Sequence, residues 1–136
     1  MKITIAQLNY HIGNFEGNTA GMIVAIEQAK QAKADIICFS ELATCGYPPR
    51  DFLEFDDFIR LSDECIQTIC NHAIDIAVVI GAPSHNKEPK GKSLFNSVYF
   101  LADGKVQFVQ HKTLLPTYYI FDEYRYFEPA KSWDVV

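Results

Sequence analysis

Glu41 is an acidic residue placed where α/β proteins often carry chemistry. It lies two positions after the short apolar run at 36–39 and precedes a Gly-Tyr-Pro-Pro breaker at 46–49. Open α/β sheets bind ligands beyond the carboxyl ends of their strands, so Glu41 is a candidate site residue. The alternative, which position alone leaves open, is a carboxylate that begins a helix or lies solvated in a loop.

Lys112 is the second candidate, because it follows a β-prone run that ends at His111. An ammonium group is a compact positive charge that can stabilise an anion. A lysine after a strand is usually a solvated end residue, however, so Lys112 carries little weight on its own.

Four cysteines could supply a nucleophile or a metal ligand. They have neither metal-ligand spacing nor the sequence context of a secreted protein, so we expect reduced thiols, no disulfide and no zinc. They are Cys38, Cys45, Cys65 and Cys70.

The elements that would position these residues alternate between strand and helix patterns. In order, we predict a strand over 2–9, a turn over 14–18, a helix ending at Ala34, a buried strand over 35–39, a helix over 56–72, a strand over 75–81, and two antiparallel strands over 96–101 and 105–111. Strand-helix-strand repeats are typical of α/β folds with parallel pairing. The Asp-Gly at 103–104 favours a hairpin between the last two strands.

Length, composition and charge indicate which classes of protein are excluded. The chain has 136 residues, 49% of them hydrophobic, and a formal net charge of -5 without a basic stripe. We therefore expect one globular domain or part of one, with no nucleic-acid partner. No secretion signal or membrane-spanning stretch is visible, so we expect a cytoplasmic protein with no membrane partner.

The last residues resemble the beginning of another strand. Residues 133–136 read Trp-Asp-Val-Val, and no capping turn or terminal helix follows them. Two helices and about six strands do not easily cover both faces of a sheet. We therefore expect this chain to be a fragment whose remainder supplies more of the core.

Two segments carry a specific resemblance. Phe-Ser-Glu-Leu-Ala-Thr-Cys-Gly-Tyr-Pro-Pro-Arg-Asp at 39–51 and His-Lys-Thr-Leu-Leu-Pro-Thr-Tyr-Tyr-Ile-Phe-Asp-Glu-Tyr-Arg-Tyr-Phe at 111–127 resemble the first two signatures of the nitrilase, or carbon-nitrogen hydrolase, family. The separation of Glu41 and Lys112 by 71 positions (112 minus 41) also suits that family, and residues 2–9 are similar to its first strand. The resemblance implies an α/β fold, the nitrilase-like α-β-β-α sandwich. Residues 1–136 would form roughly the first half of the amidase domain, truncated at its C-terminal end.

The family resemblance assigns roles to three residues. Amide hydrolysis through a thioester needs a thiolate, a proton carrier and a group that stabilises the oxyanion. By resemblance, Glu41 is the general base and then acid, and Lys112 stabilises the oxyanion. Glu123 matches a second glutamate that supports the lysine and substrate in many members. A loop carboxylate paired with Arg125 is the alternative for Glu123.

The family's nucleophilic cysteine is not among the four in this chain. In similar proteins it follows a further strand, two to three dozen residues after the lysine. Cys45 lies four positions from Glu41, but it matches a small Thr-like or Ser-like position of the motif and is expected to be buried and inert. We therefore expect the 136-residue polypeptide alone to be inactive.

Two further features concern the local geometry and the substrate pocket. Many family members have proline before the catalytic glutamate, whereas this chain has Ser40, which predicts a weaker local backbone restraint. Tyr118, with Tyr119 beside it, and Phe127 lie in a region that lines the amide pocket of similar proteins. Aromatic core packing is the competing interpretation.

Within the family, the flanking residues are most similar to the glutaminase domains of glutamine-dependent NAD synthetases. This implies glutamine or a related small amide as substrate and ammonia delivered for ATP-dependent amidation of deamido-NAD. No cofactor is expected in this segment, while ATP and Mg²⁺ are expected in a separate synthetase domain. A homo-oligomer is also expected, since such domains pair and an unfinished sheet exposes an edge. The alternatives are a stand-alone amidase, such as an ω-amidase or carbamoyl-amine hydrolase, and a non-catalytic interaction module.

Overall fold

A computed structural model describes residues 1–131, which form a five-stranded mixed sheet with two long helices. The strands are β1 (Ile3–Ile5), β2 (Ile36–Cys38), β3 (Ala77–His85), β4 (Leu94–Ala102) and β5 (Lys105–His111). The helices are α1 (Phe15–Gln31), α2 (Asp56–His72) and the short α3 (Glu123–Tyr126), and a 3-10 helix covers Arg50–Glu54. The predicted strand over 133–136 lies outside the described residues.

The strand order in the sheet is β1-β2-β3-β4-β5. β1, β2 and β3 are parallel, and α1 and α2 make the two crossover connections between them. β4 and β5 then continue the sheet in antiparallel pairing. The predicted change from crossover units to antiparallel strands, and with it the mixed α/β class, is confirmed.

Both long helices pack on one face of the sheet. The core between them contains Met22, Ile26, Ile37, Ile69, Val78, Ile80 and Leu101, all fully buried. Because side chains alternate along a strand, the neighbours of these strand residues point to the other face, where Ile3, Ile5 and Val98 are exposed. One helix layer and one sheet layer therefore account for half of the predicted α-β-β-α sandwich.

The start of α1 corrects one prediction. The Gly- and Asn-rich segment 14–18 was expected to be a turn, but α1 begins at Phe15. The side chain of Asn14 accepts a hydrogen bond from the backbone N–H of Gly17 at 3.1 Å and so caps the helix. Asparagine is one of the best N-cap residues, so the polar composition marks a helix start.

The boundaries of β1 and β3 also differ from the prediction. β1 ends at Ile5 because its partner β2 ends at Cys38, although the alternating pattern continues to residue 9. β3 continues past Gly81 to His85, because β4 pairs with it along that whole length. Tertiary pairing, rather than local pattern, sets both ends.

A second core lies under the loops that follow β2 and β5. Its members include Phe15, Leu42, Leu53, Phe58, Leu94 and Phe127. Asp51 joins the two loop regions, because it pairs with Arg125 at 3.4 Å and accepts a hydrogen bond from the hydroxyl of Tyr126. The segment after β5 is thereby tied to the segment after β2.

Gly81 provides a test of this packing. A Cβ atom at this position would lie 2.6 Å from the backbone nitrogen of Leu42 and 2.7 Å from the Cα of Glu41. Backbone cannot yield as a flexible side chain can, so we expect Gly81→Ala to lower the free energy of unfolding by about 1–3 kcal/mol. The free energy is measured by chemical denaturation.

Gly21→Ala is the matched control. Gly21 lies within α1, and a Cβ there would have its nearest neighbour, the Cδ1 of Leu8, at 4.0 Å. Alanine in a helix interior is favoured over glycine by roughly 0.5–1 kcal/mol, so this variant should be more stable than the unsubstituted protein. Equal stability of the two variants would contradict the close approach at Gly81.

Candidate active site

Glu41 and Lys112 meet at the carboxyl ends of β2 and β5. Glu41 lies in the loop that follows β2, and Lys112 is the first residue after β5. The ammonium Nζ of Lys112 lies 2.7 Å from Oε1 of Glu41, although 71 positions separate the residues in the sequence. The structure therefore brings the two sequence-predicted residues together as an ion pair.

Glu123 completes the charged group from the first residue of α3. Its Oε2 lies 2.9 Å from Nζ of Lys112, and its Oε1 accepts a hydrogen bond from the hydroxyl of Tyr47 at 2.8 Å. Its residue exposure is 5%, so this carboxylate is buried. Arg125 pairs with Asp51 instead, so the interpretation of Glu123 as a loop carboxylate paired with Arg125 is wrong.

Asn96 on β4 is a site residue that sequence reasoning missed. Its amide Nδ2 donates to Oε1 of Glu41 at 2.6 Å and to Oε2 of Glu123 at 3.2 Å. Its backbone carbonyl also accepts the N–H of Lys112 at 2.8 Å. The signal in the sequence was an asparagine within the mostly apolar run at 94–102. A polar side chain buried in such a strand is rarely left without a hydrogen-bond partner.

The electrostatics of the site favour a charged lysine. Partial burial alone would lower the pKa of Lys112, but the hydrogen bonds and charges of Glu41 and Glu123 outweigh it and raise that pKa above its usual value. Burial, followed by the hydrogen bond to Glu123, raises the pKa of Tyr47. Lys112 is therefore a cation and Tyr47 a neutral hydrogen-bond donor at neutral pH.

A cavity of about 330 Å³ opens beside these residues. Asn96 and Val98 point to the sheet face opposite the helices, so the cavity opens on that face. Its lining includes Phe39, Glu41, Gly81, Asn96, Val98 and Lys112. Its size and its mixed charged and apolar lining are those of a site for a small molecule.

The aromatic residues predicted to contact substrate lie in different surroundings. Tyr118 is 66% exposed, and its ring packs edge-on against Phe121, 5.5 Å between centroids. Phe127 is 1% exposed within the second core. Core packing therefore describes Phe127 in this structure, and substrate contact by either residue stays a prediction.

None of the four cysteines is among the residues that line the cavity. Cys45 is fully buried, and burial raises the pKa of its thiol to about 12. Its Sγ lies 3.7 Å from the backbone carbonyl oxygen of Leu42. A buried thiol with a raised pKa is a poor nucleophile, so the geometry agrees with its exclusion as the reactive cysteine.

Within residues 1–131, no three or more His, Cys, Asp or Glu side chains are grouped so that they could hold a metal ion. In the same part of the chain, no helix is both long and apolar enough to cross a membrane.

Several curated relatives of this chain are named glutamine-dependent NAD(+) synthetase. The protein from Synechocystis sp. is 39% identical over 132 residues, which cover 94% of this chain and 24% of the relative. The protein from Aquifex aeolicus is 34% identical over 134 residues, covering 97% of this chain and 23% of the relative. This chain thus spans about a quarter of the length of these relatives.

Solved structures show the same similarity. Glutamine-dependent NAD+ synthetase from Acinetobacter baumannii superposes with a TM-score of 0.87 at 35% identity, covering 96% of this chain and 24% of the other. An amidase from Nesterenkonia sp. superposes with a TM-score of 0.78 at 20% identity, covering 97% of this chain and 49% of the other. The second likeness concerns the fold alone.

The family assignment rests on nearly the whole sequence. The model of the carbon-nitrogen hydrolase family matches residues 2–136, a range that contains both signature segments and all three charged residues of the site. The chain belongs to the carbon-nitrogen hydrolase family.

Proposed function

We propose that this chain supplies the acid–base and oxyanion-stabilising groups of a site that hydrolyses the side-chain amide of glutamine. The observation that carries the proposal is the Lys112 ammonium, which bridges Glu41 and Glu123 beside a cavity. The choice of glutamine is supported by the relatives, which are named glutamine-dependent NAD(+) synthetases. In such an enzyme the released ammonia would serve ATP-dependent amidation of deamido-NAD.

Glu41 would carry the proton in this reaction. It takes the proton of a cysteine thiol, and the resulting thiolate attacks the amide carbon to form a tetrahedral oxyanion. When the carbon–nitrogen bond breaks, Glu41 returns the proton to the leaving ammonia. Water then hydrolyses the thioester and regenerates the thiol. The side chain of Glu41 is 43% exposed, which leaves it accessible to both reactants.

Lys112 would stabilise the oxyanion. An ammonium group has three N–H donors, and Glu41 and Glu123 accept two of them. The third remains for the developing negative charge. The buried Glu123 keeps Lys112 charged and in place, which suits preorganised electrostatic stabilisation.

The nucleophile in this proposal is a cysteine outside these 136 residues. None of the four cysteines in the chain lines the cavity beside Glu41 and Lys112. We therefore infer that the polypeptide alone does not release ammonia from glutamine. ATP and Mg²⁺ would bind a separate synthetase domain with ligase activity, and none of the residues described above is assigned to them.

The location and partners of the protein also belong to the proposal. Four free cysteines suit a reducing compartment, which supports action in the cytoplasm, away from membranes and nucleic acid. The exposed apolar residues on the open sheet face support association with further protein surface, and a homo-oligomer is the assembly we propose.

Substitution of Glu41 tests the proposal. In the full-length protein that carries this chain, Glu41→Gln keeps the shape of the side chain and removes the proton carrier. General acid–base catalysis contributes about 10²–10⁴-fold to rates, so kcat for ammonia release from glutamine should fall by that order. Ammonia is measured with a coupled glutamate dehydrogenase assay.

Glu64→Gln is the matched control. Glu64 lies on α2 and pairs with Arg60 at the surface, so its substitution should leave kcat unchanged. If the Glu41 variant kept full activity, Glu41 could not be the proton carrier, and the proposal would fail.

Cys45 allows a separate test of the nucleophile. Cys45→Ala removes a buried thiol close in sequence to Glu41, and we expect the full-length protein to retain its glutaminase activity at a permissive temperature. Labelling with a glutamine-analogue electrophile, followed by mass spectrometry, should find the label outside residues 1–136. A label on Cys45, or loss of activity in a folded Cys45→Ala protein, would refute this assignment.

A further inference from the structure

Asn96 closes a ring of hydrogen bonds that includes both carboxylates. Oε1 of Glu41 accepts from Lys112 Nζ at 2.7 Å and from Asn96 Nδ2 at 2.6 Å. Oε2 of Glu123 accepts from the same two nitrogens at 2.9 and 3.2 Å. Each carboxylate therefore has one oxygen held by a charged donor and a neutral donor at once.

The chemistry of this ring fixes the orientation of the amide. Carboxylate oxygens accept hydrogen bonds, so the Asn96 group that meets them must be its NH₂, which has two hydrogens. Both hydrogens are used, one for each carboxylate. Asn96 is 3% exposed, and leaving such a buried amide without acceptors would be unfavourable.

We infer that Asn96 is the positioning residue that selects Oε2 of Glu41 as the proton-carrying oxygen and leaves one N–H of Lys112 for the oxyanion. This inference rests on the proposed amide hydrolysis. Oε1 of Glu41 is held by two donors, whereas Oε2 takes part in none of the hydrogen bonds found among residues 1–131. The ring of hydrogen bonds thus leaves Oε2 of Glu41 as the oxygen that can exchange a proton.

The neutrality of Asn96 is central to this role. Four titratable groups face the ring from three segments: Glu41 and Tyr47 in the loop after β2, Lys112 after β5 and Glu123 on α3. Two carboxylates already share one ammonium. The amide supplies hydrogen bonds to both carboxylates without adding a further charge.

Two variants of the full-length protein separate positioning from folding. Asn96→Asp keeps the side-chain shape, removes the donors and adds a third carboxylate, while Asn96→Ala removes the whole carboxamide without adding a charge. Loss of one preorganised donor costs about 10²–10³-fold in kcat, and we expect a fall of that order in both, with KM for glutamine much less affected. The acidic limb of the pH–activity profile should move to higher pH in both variants, and further in Asn96→Asp, which adds a negative charge as well as removing the donors.

Asn18→Asp is the matched control for stability. Asn18 is another buried asparagine whose Nδ2 donates twice, to the carbonyls of His11 and Thr44 at 2.9 and 3.2 Å. It makes no bond to the charged group. We expect a comparable loss of thermal stability, with kcat and pH profile retained at a permissive temperature.

Each outcome of this comparison either supports or overturns the role inferred for Asn96. Normal kcat in folded Asn96→Asp, or an unshifted acidic limb, would overturn the inference while the proposed function stands. Failure of both Asn96 variants to fold while Asn18→Asp folds would assign Asn96 a purely structural role and overturn it too. Absence of glutaminase activity in the unsubstituted protein would instead refute the proposed function, and the inference with it.

Discussion

The ion pair between Lys112 and the buried carboxylate of Glu123 is the interaction on which the site depends. Removing a charge from water is expensive, and a buried ion is tolerated only with partners that satisfy its hydrogen-bonding capacity. Lys112 donates to Oε2 of Glu123, while the hydroxyl of Tyr47 donates to Oε1. With these partners and Asn96, both oxygens of Glu123 are occupied, and the pair can persist at the wall of a cavity.

The charged group spans the point where the sheet changes from parallel to antiparallel strands. Glu41 follows β2, in the parallel part of the sheet, whereas Lys112 follows β5 in the antiparallel part. β3 and β4 lie between them, so the loop after β2 must bend across β3 to reach the lysine. Gly81 on β3 permits this approach, because any side chain there would meet the backbone of Glu41 and Leu42.

The elements that have local sequence signals were predicted correctly. The bounds of α2 and β5 agree with their predicted ranges, since helical periodicity and the Asp-Gly turn mark them directly. The signature segments identified the three charged residues that the structure brings together. Asn96 and Tyr47 were missed because their roles arise only from pairing across the sheet and between loops. The ends of β1 and β3 were misjudged for the same reason, as partner strands determine them.

Ser40 shows how tertiary contacts can replace a local restraint. A proline at position 40 would restrict the backbone, and the serine found there predicted a looser Glu41. In the structure, the N–H of Gly81 donates to the carbonyl of Ser40 at 3.3 Å, and the N–H of Phe39 donates to the carbonyl of Val79 at 2.8 Å. β3 thus holds the segment on both sides of the missing proline. Because Asn96 and Lys112 also hold the side chain, the orientation of Glu41 depends on the assembled sheet rather than on the residue that precedes it.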